Sequence, residues 1–305
     1  MQLMRQTVIA VADNPLVTKF FTGSKLARGL VDRFVAGESI DEAIAVCHDI
    51  AAQGLTITLD QLGENVHTQA EVDAATATYV AGLRRLRAEG LEPNVSVKLT
   101  MLGFDLGDDV ARDAMASILE TAREVGGFVR IDMEGSAYTE RTMRVFFELH
   151  DQFPAEVGIV IQSYLHRAEV DVRDCIARNA RVRLVKGAYA EPASVAFQGA
   201  AKVDASYVKL MKLLLDEGNF PALATHDPAL IQQARDYVRQ RDIPLDRFEF
   251  QMLYGVRRDE QQRLAGEGYG MRVYVPYGTE WYPYFSRRVA ERPSNALFVL
   301  RQLRG

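Results

Sequence analysis

The chain has 305 residues, 48% of them apolar, enough to bury one large core or two small ones. Its 36 Lys and Arg against 41 Asp and Glu give a formal charge of −5, which argues against nucleic acid as the main partner, because phosphate binding usually needs a basic face. No apolar run approaches the ~18 residues of a membrane span, and the short apolar stretch before Pro15 is broken by Arg5 and Asp13, so no signal peptide is expected.

In chain order, the first fifty residues read as two amphipathic helices, Val17–Ala36 and Ile40–Ala52, the second opened by the capping box Ser39-Ile-Asp-Glu42. With no Pro/Ser linker after them, residues 1–50 are expected to pack as a helical arm on a catalytic body of residues 51–305. From there short β-branched runs alternate with longer helical patterns. The strands fall at Leu55–Asp60, Asn94–Leu99, Phe128–Met133, Gly158–Ser163, Arg181–Gly187, Pro221–His226, Phe248–Leu253 and Arg272–Pro276. Helices are expected between them, such as Gln69–Glu89, Val110–Val125, Val203–Glu217 and Pro228–Arg239. Eight strands interleaved with helices predict an α/β fold, a (β/α)8 TIM-type barrel. The competing open doubly wound sheet would more often carry a glycine-rich nucleotide fingerprint, and no GxGxxG is present. Cys47 and Cys175 fall in helical patterns without CxxC spacing, which suits a reducing cytoplasm. Asn94-Val-Ser matches a glycosylation sequon but lies in a predicted strand.

In such a barrel the chemistry collects at the carboxyl ends of the strands. Every predicted strand here ends on polar groups: Asp60, Lys98, Asp132 with Glu134, Gln162 with Tyr164, Lys186, Thr225 with His226, Gln251, and Tyr274 with Tyr277. That pattern predicts a large polar site across the barrel mouth. Lys98 interrupts a buried strand, so it is either paired inside, with Asp132 as the obvious counter-charge, or turned outward to snorkel. Lys186 and Gly187 offer a cation and an approachable backbone, which suits a phosphate or a helix-start turn. His226 is a base, a metal ligand or a hydrogen-bond donor; the remaining histidines are scattered without ligand spacing, so no metal is expected. No serine sits in a G-x-S-x-G elbow.

After the last strand, Tyr284, Arg287, Arg288 and Glu291 are spaced i, i+3, i+4, i+7, and a helix puts all four on one face. Two guanidiniums beside a phenol suit a carboxylate, which each arginine can grip bidentately; the plain alternative is a solvated face with i,i+4 pairing. Pro276 and Gly278 are places where the chain could leave the barrel wall, and Pro283 suits a first helical turn.

Read in order, Val-Lys98-Leu, Ile-Asp132-Met-Glu, Ile-Gln162-Ser-Tyr-Leu, Arg183-Leu-Val-Lys-Gly-Ala-Tyr189, Ala-Thr-His226, Phe-Gln-Met-Leu253, Tyr274-x-Pro-x-Gly and Tyr284-x-x-Arg-Arg-x-x-Glu291 resemble the proline dehydrogenase family over residues 55–295. The resemblance implies a distorted (β/α)8 barrel whose last helix is displaced over the mouth. It also implies FAD lying across the strand ends and taking a hydride from L-proline to give Δ1-pyrroline-5-carboxylate. Arg287 and Arg288 would grip the proline carboxylate with Lys98 nearby. Leu253, Tyr274 and Tyr284 would wall the ring, and Asp132 would hold the cationic cluster. Arg183 would face the flavin N5 region, and Met133, Gln162, Val185, Lys186, Gly187, Thr225, His226 and Glu291 match cofactor positions. Tyr274 would favour proline over hydroxyproline. A membrane quinone would take the electrons, implying a cytoplasmic protein that visits the inner membrane surface. With the chain stopping at Gly305, a separate pyrroline-5-carboxylate dehydrogenase would take the product. The rival reading is a Schiff-base aldolase on the same barrel, using Lys98 or Lys186.

Overall fold

The computed structural model describes residue 29 and residues 31–291, with side chains as far as residue 286. Eight parallel strands close in sequence order into one barrel: β1 (Thr56–Gln61), β2 (Asn94–Val97), β3 (Phe128–Ile131), β4 (Val157–Gln162), β5 (Arg181–Val185), β6 (Ala222–Ala224), β7 (Glu249–Leu253) and β8 (Gly270–Tyr277). Closure is made by β1 against β8, in register from Thr56 opposite Arg272 to Gln61 opposite Tyr277. Most of the strands are shorter than the apolar runs suggest. β2 stops at Val97 because Leu99–Leu102 tightens into a 3-10 turn, and β6 keeps only three residues. Lys98, Asp132, Lys186, Thr225 and His226 therefore stand just beyond strand ends, where the backbone no longer fixes them in the sheet.

The helices are α1 (Ile40–Ala51), α2 (Gln69–Ala88), α3 (Asp108–Val125), α4 (Ser136–His150), α5 (Ala168–Ala177), α6 (Ala200–Glu217), α7 (Pro228–Gln240), α8 (Arg258–Gly266) and α9 (Trp281–Glu291). The capping box expected at Ser39 forms: its side chain accepts from the Glu42 amide while the Glu42 carboxylate accepts from the Ser39 amide. Thr68 and Glu71 repeat the device at α2, each box contributing about 1 kcal/mol. The outer ring is amphipathic for the usual reason. On α3, Ala111, Met115, Ile118, Leu119 and Ala122 recur at helical spacing and all are buried against the barrel and its neighbouring helices. A fully buried Leu or Ile of this kind contributes about 1.5–3 kcal/mol. Cys47 and Cys175 are buried thiols, and the sequon residue Asn94 is buried in β2.

Of the first expected helix, Val17–Ala36, only the last residues are described. Phe34 and Val35 pack with Leu62, Trp281, Tyr284 and Phe285 in a cluster separate from the main core. The Ala36 amide donates to the Pro276 carbonyl and the Gly278 amide to the Gly37 carbonyl. Gly278 has φ +124, a region that favours glycine, and there the chain leaves β8 for α9.

Candidate active site

The floor of the site follows from the two-residue period of the strands. Thr58 and Asp60 on β1, and Ser96 and Lys98 at the end of β2, point to the same side, into the barrel. Thr58 Oγ1 meets Ser96 Oγ at 3.3 Å, and the Arg183 guanidinium donates to Ser96 Oγ at 3.0 Å. Arg183 also donates to Asp132 Oδ1 at 2.8 Å, and the Tyr274 hydroxyl donates to Asp132 Oδ2 at 2.8 Å. Both oxygens of Asp132 are thus engaged, and the guanidinium lies 5.3 Å from the centre of the Tyr274 ring.

Lys98 does not take the counter-charge expected for it. Its ammonium pairs with Asp60 Oδ1 at 3.2 Å, while Asp132 holds Arg183. The reason is lateral order: β2 lies between β1 and β3, and the 3-10 turn after Lys98 aims the side chain toward β1. Burial pushes the Asp60 carboxyl up to about 6, helped by the charge of Asp132 and opposed by Lys98. Burial also opposes charge on Lys98, but Asp60, Asp132 and Glu64 outweigh it and raise its pKa. Lys98 is therefore held as an ammonium. Burial, then Asp132 and Asp60, likewise keep the Tyr274 phenol protonated.

The rim is built from loops after β3 to β7. Gln162 donates to the Met133 carbonyl at 3.2 Å, and Thr100 donates twice to Glu134, at 3.2 Å from its amide and 2.6 Å from its hydroxyl. Lys186 lies between Asp204 (2.6 Å) and Asp227 (2.8 Å), which raise its pKa against the opposing effect of burial. His226 Nε2 accepts from the Leu253 amide at 2.9 Å, so its neutral ring carries the hydrogen on Nδ1. Gly187 has φ +113, and a Cβ there would sit 2.4 Å from the Tyr164 ring, so this turn excludes any other residue.

One cavity of about 470 Å³ collects these groups. Lys98, Asp132, Met133, Gln162, Arg183, Val185, Lys186, Gly187, Thr225, His226, Leu253, Tyr274 and Tyr284 all line it. Tyr284 arrives from α9, so the last helix delivers a side chain into the barrel mouth. The expected helix around the clamp is present as α9, but the side chains of Arg287, Arg288 and Glu291 lie outside the described residues. Asp204 and Asp227 are not among the residues the sequence points to, and Asp60 is there only as a strand-end group without a role of its own. The signal for Asp60 was its position at the end of the strand next to Lys98. Nothing local marks Asp204, which is on α6, whereas Asp227 announces itself as the cap of α7. Neither lysine suits Schiff-base chemistry, which needs a neutral amine, since Lys98 and Lys186 are ion-paired and held protonated. Among the described residues, no cluster of three metal-ligating side chains exists.

The sequence profile of the family described as Proline dehydrogenase matches residues 43–301. "Proline dehydrogenase 1" of Bacillus subtilis (strain 168) is 39% identical over 98% of both chains. "Proline dehydrogenase" of Deinococcus radiodurans is 41% identical over 98% of this chain and 97% of its own. Among solved structures, proline utilization A (PutA) of Bdellovibrio bacteriovorus, inactivated by N-propargylglycine, superposes with a TM-score of 0.83 at 26% identity. That match covers 95% of this chain but only 36% of PutA, so the chain spans about a third of that larger protein. With a profile match along most of its length and near-full-length relatives around 40% identical, the chain belongs to the proline dehydrogenase family.

Proposed function

We propose that this protein is an FAD-dependent proline dehydrogenase, oxidising L-proline to Δ1-pyrroline-5-carboxylate in the first step of proline breakdown to glutamate. The observation that carries the reading is the pair of carboxylate-anchored cations, Arg183 on Asp132 and Lys98 on Asp60, at the base of a cavity walled by Leu253, Tyr274 and Tyr284. A cavity of this size suits a small amino acid and a ring system.

The residues present fit a flavin. Arg183 Nε and Gln162 Oε1 are buried and have no hydrogen-bond partner among the described residues, which leaves one donor and one acceptor for the polar edge of a ring. Arg183, Gln162, Met133, Val185, Gly187, Thr225 and His226 would hold it, with Lys186 tying the surrounding loops together and Glu291 contributing from α9. When bound, the flavin supplies a two-electron acceptor for hydride at N5.

The chain's own side chains do the rest. Arg287 and Arg288 on α9 orient the substrate through its carboxylate, with Lys98 as a third cation. Leu253 and the two tyrosines fix the ring, so the reacting carbon is held without an acid or base touching it. Closing α9 over the mouth excludes water. Arg183 places fixed positive charge where negative charge develops. Electrons would pass to a membrane quinone at the inner face of the cell membrane, residues 1–50 would form an arm on the catalytic barrel of 51–305, and a separate pyrroline-5-carboxylate dehydrogenase would take the product. Among the described residues no helix is long and apolar enough to cross a membrane.

The test is one visible-range spectrum of purified protein before and after adding L-proline. A yellow protein bleached by proline supports the reading. A colourless protein trapped covalently by an aldehyde with borohydride would overturn it in favour of the aldolase.

A further inference from the structure

Oxidising a secondary amine through its neighbouring carbon needs a neutral nitrogen, yet proline in water carries an ammonium. Some group must take that proton. The cations are unsuited, because Lys98 is held as an ammonium and an arginine does not deprotonate. Asp132 gives one oxygen to Arg183 and the other to Tyr274. Glu134 is engaged by both donors of Thr100. Asp60 differs. Its side chain is 1% exposed and lines the cavity, Oδ1 faces Lys98, and Oδ2 has no hydrogen-bond partner among the described residues, the Tyr274 hydroxyl that lowers its pKa donating to Asp132 instead. A buried, unpartnered carboxylate oxygen on a residue that lines a cavity calls for a donor, and its desolvation costs about 1–3 kcal/mol until one arrives. The substrate N–H is such a donor.

We propose that Asp60 is the proton acceptor of the reaction: its Oδ2 receives the amine proton of proline. The inference rests on the proline dehydrogenase reading above. The step balances as follows. One N–H bond breaks and an O–H bond forms on Asp60, leaving the lone pair on nitrogen. That pair becomes the C=N bond as the adjacent C–H bond breaks, its electron pair leaving with the hydrogen as hydride to the bound flavin. The product retains one proton on nitrogen as the iminium.

The environment matches the task. The titratable neighbours of Asp60 are Lys98 from the end of β2, Asp132 after β3, Tyr274 and Tyr277 on β8 and Tyr79 on α2. Glu64 and Glu134 face Lys98 from the loops after β1 and β3, and Arg183 reaches in from β5. The three tyrosines are all raised by burial and stay neutral. An amine titrates near 10, as lysine does, so a carboxyl raised by burial to about 6 is a better match than one near 4. Below that pH Asp60 is protonated and cannot accept, which gives activity an acid limb.

The test compares wild-type holoenzyme with Asp60→Asn and Asp60→Glu. Single-turnover bleaching of the flavin by L-proline is followed from pH 5 to pH 9, and binding of cyclopentanecarboxylate, which has no amine, is measured by calorimetry at neutral pH. Asp60→Asn should slow bleaching by about 10²–10⁴-fold and abolish the acid limb near pH 6. Cyclopentanecarboxylate affinity should fall by no more than about tenfold, far less than the rate, because the variant removes the partner of Lys98 but that ligand has no proton to give. Asp60→Glu should keep the limb, with bleaching slowed by about tenfold because the oxygen is displaced, and this variant decides alone if the asparagine protein does not fold. An asparagine variant with wild-type rate and limb overturns the assignment. So does one that loses rate and cyclopentanecarboxylate affinity in equal measure, since Asp60 would then only brace Lys98. Wild-type enzyme that proline does not bleach overturns the proposed function itself; bleaching by wild type with either contrary variant result overturns Asp60 alone.

Discussion

The barrel interior holds two ionic clusters, one at each end, and they are bonded differently. At the amino ends of the strands, Arg272 donates to both oxygens of Glu249 at 3.0 Å, to the Ile57 carbonyl at 2.6 Å and to both oxygens of Glu92 at 3.1 Å. Each nitrogen of that guanidinium is used. At the carboxyl ends, Arg183 has a buried Nε without a partner, Gln162 a free Oε1 and Asp60 a free Oδ2, all lining the cavity. Burial opposes charge at both ends. Arg272 answers with a bond on every nitrogen, although its neighbours Arg130 and Arg181 each keep a buried Nε without a partner among the described residues, whereas the open atoms of the upper cluster belong to side chains that line the cavity. What separates the two ends is the cavity, which Arg183, Gln162 and Asp60 line and Arg130, Arg181 and Arg272 do not.

That contrast is breakable, beginning where the effect is largest. Arg272→Met strands Glu249 in the core, and denaturant unfolding should show about 3–5 kcal/mol less stability, while protein that remains folded still responds to proline. Loss of proline response at full stability would erase the distinction. Asp132→Asn should do the reverse. It removes one charge-assisted bond from Arg183, worth about 1.5–3 kcal/mol, so kcat/KM for proline should fall about ten- to hundredfold, with a smaller shift in unfolding midpoint than Arg272→Met gives. A larger shift in unfolding midpoint than in kcat/KM would recast Asp132 as scaffold. The mildest change, Tyr274→Ser, opens the far side of the ring site and cuts the hydroxyl's bond to Asp132. The kcat/KM ratio of hydroxyproline to proline should rise by about tenfold, and an unaltered ratio would remove Tyr274 from specificity.

The barrel was legible because strand and helix periods differ, and because polar residues recur where each apolar run stops. Those same residues, apart from Tyr164 and Tyr277, line the mouth cavity. What could not be read was pairing. Lys98 was matched with Asp132 because both end neighbouring strands, but a strand has two neighbours and spacing along the chain does not say which one a flexible side chain meets. Lys186 looked like an unclaimed cation, since one of its carboxylates comes from α6 and the other from the cap of α7. His226 offered three roles, and its bond to the Leu253 amide depends on how far two adjacent loops extend past β6 and β7. Strand ends were overrun for a related reason. Lys98-Leu99 carries a β-compatible pattern, but the 3-10 turn after it is favoured by the long-range bonds of Thr100 to Glu134.

The contacts of residues 31–37 have a mechanical corollary. The amide of Ala36 is bonded to the last turn of β8, the carbonyl of Gly37 receives the amide of Gly278, and Phe34 leans on Phe285 one position from Tyr284. Tension applied to residues 31–37 would thus be transmitted straight to α9, which carries Tyr284 into the cavity. Fixing residues 31–37 to a bead or a surface would load the start of α9, whereas a tether on the outer face of α3 would leave it slack.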